Sequence, residues 1–237
     1  MKLILLLLSG LKFGKLLTSG GTMLLSIAAY AWVFGLWYAV GFVGLIFVHE
    51  MGHYLAARRR GLDVGLPMFI PFVGAWIQLK EMPHDVETEA YVGLAGPLVG
   101  SLGALACFFA ARNTGSELLL ALAYAGFFLN LFNLIPLSPF DGGRVTAAIS
   151  PKLWLIGAPL LVALFLYRPS PLLILMAVLA FPNVLKAWRG PQTDEERAYH
   201  TIPAETRLGY ATAYLGLAAF LAIMCSELHA ELPQRHP

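Results

Sequence analysis

Charge is scarce in this chain. Asp, Glu, Lys and Arg make up 13% of its 237 residues, and hydrophobic residues make up 58%. Typical soluble domains carry about 25% charge, so an ordinary solvated globular surface is excluded. A net charge of +2, with no basic patch interleaved with aromatics, excludes nucleic acid as a partner. The one dense basic run, Arg58-Arg59-Arg60, directly follows an apolar stretch and reads as a topology signal. Cysteine is nearly absent: Cys107 and Cys225 sit in apolar runs, without metal-ligand spacing or a disulfide framework, and read as small core residues. A cleavable signal peptide is not expected either. The apolar run 3–8 is short, no small-residue cleavage site follows it, and Lys12 and Lys15 flank it on the wrong side. Residues 2–18 read instead as a helix lying in a membrane interface.

What the chain does have is long apolar runs. Seven candidate spans are legible, at residues 22–37, 40–57, 91–111, 118–137, 153–167, 171–188 and 208–226. Residues Tyr38 and Ala39 make a short link that would pair the first two. Between spans two and three, residues 64–79 are apolar but broken by Gly65, Pro67, Pro71 and Gly74, which fits a hairpin or re-entrant segment better than a helix. The expected fold is an all-α polytopic membrane protein. It has about six to seven transmembrane helices and a short re-entrant or β-hairpin segment after the second. It divides into an N-terminal interfacial segment (1–21), a membrane core (22–150) and additional C-terminal helices (151–237). With the N-terminus in the cytoplasm, thirteen of the 16 Lys and Arg residues fall on the cytoplasmic side, leaving Arg112, Arg168 and Arg235 outside. A multi-pass protein of the cell membrane is expected, with the bilayer as its solvent.

Residues His49-Glu50-Met51-Gly52-His53 read H-E-x-x-H. Residues i and i+4 of a helix share a face, so two imidazoles can hold one zinc ion. Glu50 lies on the adjoining side, within reach of a water on the open metal position. Packed histidines would be the plain alternative. The stretch Val43–Val48 just upstream is uncharged, however, and three ionisable groups in one membrane span are costly unless they face a cavity or partner.

Zinc needs a third protein ligand. A third histidine six residues after the second is ruled out, because position 59 is Arg. Carboxylates remain. Glu81, Asp85, Glu87 and Glu89 lie in a polar connector, and Glu117 falls on the opposite membrane face. Asp141 follows the fourth span and falls at a depth matching the histidines, from the same side. An Asp-Gly turn or a helix N-cap accounts for Asp141 equally well. Gly96 and Gly100 form a G-x-x-x-G pair suited to close helix packing. His84 reads as a solvated loop residue. The segment 64–79 offers a strand edge that could hold a peptide extended, or is simply structural.

The motif His49-Glu50-Met51-Gly52-His53, taken with Asn133-Leu134-Ile135-Pro136 running to Asp141-Gly142-Gly143, resembles the site-2 protease family of intramembrane zinc metalloproteases. Leu94-Ala95-Gly96-Pro97-Leu98 is similar to a further segment of that family. The resemblance covers roughly residues 40–150. It implies one zinc ion per chain, bound by His49, His53 and Asp141, with Glu50 as general base and Asn133 near substrate or intermediate. It implies a transmembrane protein as substrate, cut in or near its spanning segment, and an active site toward the cytoplasmic side. Two rival readings stand beside it: a membrane-anchored zinc protease acting on soluble segments, and a non-catalytic metal-binding membrane protein. The apolar lead into His49 argues against the first, and the second would tolerate loss of Glu50. Substrate identity and oligomeric state are not encoded in any motif.

Overall fold

The computed structural model describes residues 2–76 and 83–232, with side chains described from 18 to 75 and from 83 to 232. Glu81 and Lys80 lie outside the described residues. So do the side chains of Lys2, Lys12 and Lys15, which entered the orientation argument.

The architecture is mostly helical. Helix α1 (Lys2–Phe34) runs without a break at position 21 and ends at Gly35. There φ is +87°, a left-handed conformation that favours glycine. Helix α2 (Leu36–Arg59) starts at once, so the link between the first two helices is Gly35 and not Tyr38–Ala39. Strands β1 (Met68–Ile70) and β2 (Gly74–Trp76) form an antiparallel hairpin, with Phe69 opposite Ala75. Helix α3 (Val86–Thr114) is capped by Asp85, whose carboxylate accepts the Thr88 N–H at 2.6 Å, and it ends at Gly115 with φ +68°. Ser116 then caps α4 (Glu117–Asn133), so a two-residue link turns the chain back on itself. Helices α5 (Asp141–Ile149), α6 (Trp154–Tyr167), α7 (Pro171–Arg189), α8 (Asp194–Tyr199) and α9 (Ala204–Glu231) complete the described chain.

Among the described residues, four helices are long and apolar enough to cross a membrane: α2, α3, α7 and α9. They carry the second, third, sixth and seventh spans read from sequence. The remaining three fall on shorter apolar helices, at Thr18–Phe34, Glu117–Asn133 and Pro151–Tyr167. Many large apolar side chains face outward, among them Trp32, Leu102, Phe109, Leu166, Phe181 and Leu215. A soluble monomer rarely exposes such a continuous apolar surface, whereas a bilayer solvates it.

Helix α3 is central. It packs against α2, α4 and α5, and α9 closes the far side of α4 and α5. Phe127, Val145, Leu221 and Leu228 are fully buried where α4, α5 and α9 meet. The 17-residue α4 rises only about 25 Å, less than the ~30 Å of a hydrocarbon core. Pro136 and Pro139 prevent it from going further. The non-helical backbone that follows is shielded by protein: Leu134, Ile135, Leu137 and Phe140 are buried, with α6 and α7 packed over the last three. Irregular backbone at membrane depth is tolerated only under such cover. Tyr214 of α9 donates a hydrogen bond to the free Leu134 carbonyl at 2.5 Å.

The hairpin is tied to α1. Ser19 Oγ donates to the Pro67 carbonyl at 2.6 Å, and the Phe69 N–H donates to Thr22 Oγ1 at 3.2 Å. These contacts fall on the side of β1 away from β2, the side open to a further strand. Tyr30 packs on Phe72 at the hairpin turn, with ring centroids 5.0 Å apart.

Candidate metal centre

Helical periodicity places His49 and His53 on one face of α2, and α2 turns that face toward α3, α4 and α5. Both side chains are almost wholly buried, as are Glu50 and Asp141. The His49 Nδ1–H donates to Asn130 Oδ1 at 2.8 Å, and the His53 Nδ1–H donates to the Val92 carbonyl at 2.8 Å. A carbonyl oxygen can only accept, so His53 carries its proton on Nδ1. Asn130 Nδ2 donates to the Gly126 carbonyl at 2.7 Å, which directs its oxygen at His49 and gives that ring the same tautomer. Each imidazole therefore presents a bare Nε2 lone pair.

The two lone pairs converge. His49 Nε2 and His53 Nε2 are 3.1 Å apart, and Asp141 Oδ2 stands 3.1 Å from the first and 3.2 Å from the second. Three electron-pair donors this close repel one another unless a cation sits among them. A proton bridges only two of them, whereas a metal ion bridges all three. Ligand atoms held about 2.0–2.1 Å from a tetrahedral zinc ion stand roughly 3.3 Å apart, so the observed triangle is the right size. Among the described residues, His49, His53 and Asp141 form a group able to hold one metal ion.

Asp141 arrives there because of its neighbours. It is the first residue of α5, capped by Phe140, and its side chain does not serve as the cap. The turn and N-cap alternatives for Asp141 therefore give way to a carboxylate facing two imidazoles. Glycine is needed after it. A Cβ at Gly142 would overlap the Leu134 carbonyl, and one at Gly143 would overlap the backbone of Leu137 and Ser138. The segment 134–140 thus folds directly over the start of α5, and Trp154 Nε1 pins the Gly143 carbonyl at 2.9 Å.

The glycines of α3 do more than let helices approach. A Cβ at Gly96 would strike the His53 ring, and one at Gly100 would strike the Asn130 carboxamide. The G-x-x-x-G pair read from sequence as a packing motif is thus the wall of the site. On α2, Gly52 meets the Ala95 backbone equally closely.

Other candidates lie elsewhere. Asp85 caps α3, Glu87 pairs with Arg60 at 3.2 Å, and Glu89 accepts the Tyr199 hydroxyl at 2.7 Å. His84 is exposed. The structure does not bring Asn133 into contact with the cluster: its amide donates to the Leu129 carbonyl of its own helix at 3.1 Å. Asn130, three residues earlier, is the amide at the site. The one signal for it in the sequence was a second amide in an otherwise apolar span.

This chain is similar to known proteins over part of its length. Residues 37–116 match the family model described as Peptidase family M50. A zinc metalloprotease of Methanocaldococcus jannaschii is 34% identical over 126 residues, which covers 49% of this chain and 36% of that protein. The Arabidopsis thaliana protein named "Probable zinc metalloprotease EGY1, chloroplastic" is 35% identical over 75 residues, covering 30% of this chain and 14% of that one. The matches thus span about a third or less of these relatives. The solved structure of the site-2 protease from Methanocaldococcus jannaschii aligns with a TM-score of 0.47 at 22% identity, covering 76% of this chain and 87% of that chain. The matched family region holds α2 and α3 with His49, Glu50, His53 and the glycine wall, whereas Asp141 and Asn130 lie beyond it. Over residues 37–116 this chain carries a domain of Peptidase family M50, the site-2 protease family.

Proposed function

We propose that this protein is an intramembrane zinc metalloprotease that hydrolyses peptide bonds in or near the transmembrane segments of other membrane proteins. The observation that carries the reading is the buried triangle of His49 Nε2, His53 Nε2 and Asp141 Oδ2, set in apolar helices beside Glu50. The donor set of two imidazoles and a carboxylate suits a catalytic zinc site, which keeps one position open. Zinc there supplies Lewis-acid polarisation of a carbonyl and of water.

The chain's own residues do the rest. His49, His53 and Asp141 hold the ion. Glu50 takes a proton from the attacking water onto its carboxylate while the water oxygen bonds to the scissile carbonyl carbon. When the C–N bond breaks, Glu50 returns that proton to the leaving amine. Burial among α2–α5 limits the water around the carboxylate to what enters from the cytoplasmic side, so its proton passes between reacting atoms.

Depth follows from the same helix. Arg58 lies five residues beyond His53, about 7–8 Å along the axis. With Arg58, Arg59 and Arg60 at the cytoplasmic surface, the site sits toward that side, within reach of water. The Lys and Arg distribution supports this orientation.

The test is cleavage of a model transmembrane substrate by purified protein, with bound zinc measured in parallel. The expected result is that Glu50→Gln retains zinc and loses cleavage. Undiminished cleavage by Glu50→Gln would end the protease reading.

A further inference from the structure

We infer that Asn130 is a positioning residue for the metal centre: its carboxamide fixes the tautomer and the ring orientation of His49. The inference rests on the zinc reading above and adds a residue outside the H-E-x-x-H motif, on a different helix.

Four observations carry it. Asn130 is 1% exposed, in the last turn of an apolar helix. A buried amide is costly unless its polar atoms find partners. Its Nδ2 is committed to the Gly126 carbonyl one turn back, at 2.7 Å. That leaves Oδ1, an acceptor only, aimed at His49 Nδ1 at 2.8 Å. The amide cannot flip without placing an N–H against His49 and an oxygen against the Gly126 oxygen, so the donor direction is fixed from both ends. Finally, α3 carries glycine at position 100, and any Cβ there would collide with the Asn130 amide oxygen and nitrogen. The space for this carboxamide is therefore built by a second helix.

The consequence is a division of labour between the two histidines. The ring of His53 is held by a backbone carbonyl, Val92 O, which no substitution can remove. The ring of His49 is held by a side chain. Hydrogen bonds to the far nitrogen of a ligating histidine set which nitrogen faces the metal, and their loss typically lowers metal affinity about 10–100-fold. His49 is accordingly the ligand whose orientation depends on a residue that can be replaced.

The experiment uses the full chain in detergent, with 15N-histidine labelling and zinc affinity measured by competition with chelators. In the metal-free wild type, His49 is expected as the pure Nδ1–H tautomer. In Asn130→Leu a mixture of tautomers is expected, with zinc affinity lower by about 10–100-fold. Asn130→Asp restores an acceptor toward His49 and, protonated on the oxygen that faces the Gly126 carbonyl, keeps a donor there; it is expected to recover both the tautomer and the affinity. Gly100→Ala displaces the amide without touching α4, and is expected to reproduce the Asn130→Leu effects. It decides the matter if Asn130→Leu does not fold. A wild-type tautomer and wild-type affinity in Asn130→Leu, or in Gly100→Ala, would overturn the inference alone. Failure of the wild type to bind zinc would overturn the zinc reading itself.

Discussion

Gly96 of α3 lies directly against the imidazole of His53, so close that a Cβ at position 96 would overlap the ring at Nε2, Cε1 and Cδ2. The neighbouring backbone can yield only by moving α3 away from α2, and Gly52 is already in contact with the Ala95 carbonyl at the same crossing. Gly96→Ala should therefore push the His53 ring out of the triangle. A misplacement on the order of 1 Å in a catalytic constellation costs about 100-fold in rate. Cleavage should fall by about that factor, with weakened zinc retention. Gly44→Ala on α2 is the control, because nothing lies within 4 Å of the added methyl. Paired cleavage and zinc assays on both variants check the expectation; equal activity in the two would sink it.

The contrast between Gly96 and His49 shows what the sequence can and cannot reveal. His49 and His53 are legible because helical spacing alone puts them on one face, a local relationship. The apolar runs and the hairpin after α2 are local too: four of the runs lie on helices long enough to cross a membrane, and a hairpin stands after α2. Gly96 and Gly100 are legible as a small-residue pair, yet their partners are on other helices, so the pattern cannot say that they wall a site. Asp141 stands 92 residues from His49 and 88 from His53. Spacing leaves it undecided between ligand and turn until the fold brings α5 to α2. The amide beside His49 is harder still: the resemblance points to Asn133, near substrate or intermediate, and nothing in the sequence singles out Asn130. The two amides are three residues apart on one helix, and only the packing of α4 on α2 decides which meets His49. The break between α1 and α2 is legible but displaced: the sequence reading puts it at Tyr38–Ala39 and the structure at Gly35, because the flanking runs are equally apolar.

Asp141→Asn tests the third corner. The substitution keeps size and shape but replaces a charged oxygen donor with a neutral amide oxygen, and the Asn Nδ2 hydrogens would repel a cation. Zinc affinity is expected to fall by at least the roughly 10–100-fold seen when mere supporting contacts are lost. Cleavage should fall with it. Equilibrium dialysis against graded chelators reads the first effect and substrate cleavage the second. Full zinc retention with full activity would remove Asp141 from the site.

Tyr214 and Leu134 link the C-terminal helix to the loop that delivers Asp141. The Tyr214 hydroxyl is buried and donates to a carbonyl left free where α4 ends. Tyr214→Phe removes the donor and leaves that carbonyl unpaired in a dry interior. The expected cost is about 0.5–2 kcal/mol, since hydrogen bonds inside membrane proteins average near the low end of that range and an orphaned buried acceptor adds to it. Unfolding in mixed micelles, measured in wild type and variant, gives the difference directly. A variant as stable as wild type would mean that water reaches Leu134.

Removing the metal should separate holding from acting. Ligand binding to the folded state stabilises it by RT ln(1 + [L]/Kd), about 2.7 kcal/mol when free ligand exceeds Kd 100-fold. A chelator should therefore abolish cleavage and lower the melting temperature, and added zinc should restore both. Glu50→Gln keeps all three converging donors, His49 Nε2, His53 Nε2 and Asp141 Oδ2. Its melting temperature should consequently respond to zinc as the wild type does, while its activity stays absent. Asp141→Asn should show little zinc-dependent shift, because one donor of the three is lost. Differential scanning calorimetry of the three proteins, with and without zinc, reads these shifts independently of any substrate. A zinc-dependent shift of wild-type size in Asp141→Asn, or none in Glu50→Gln, would contradict the division between a residue that holds the ion and one that moves a proton.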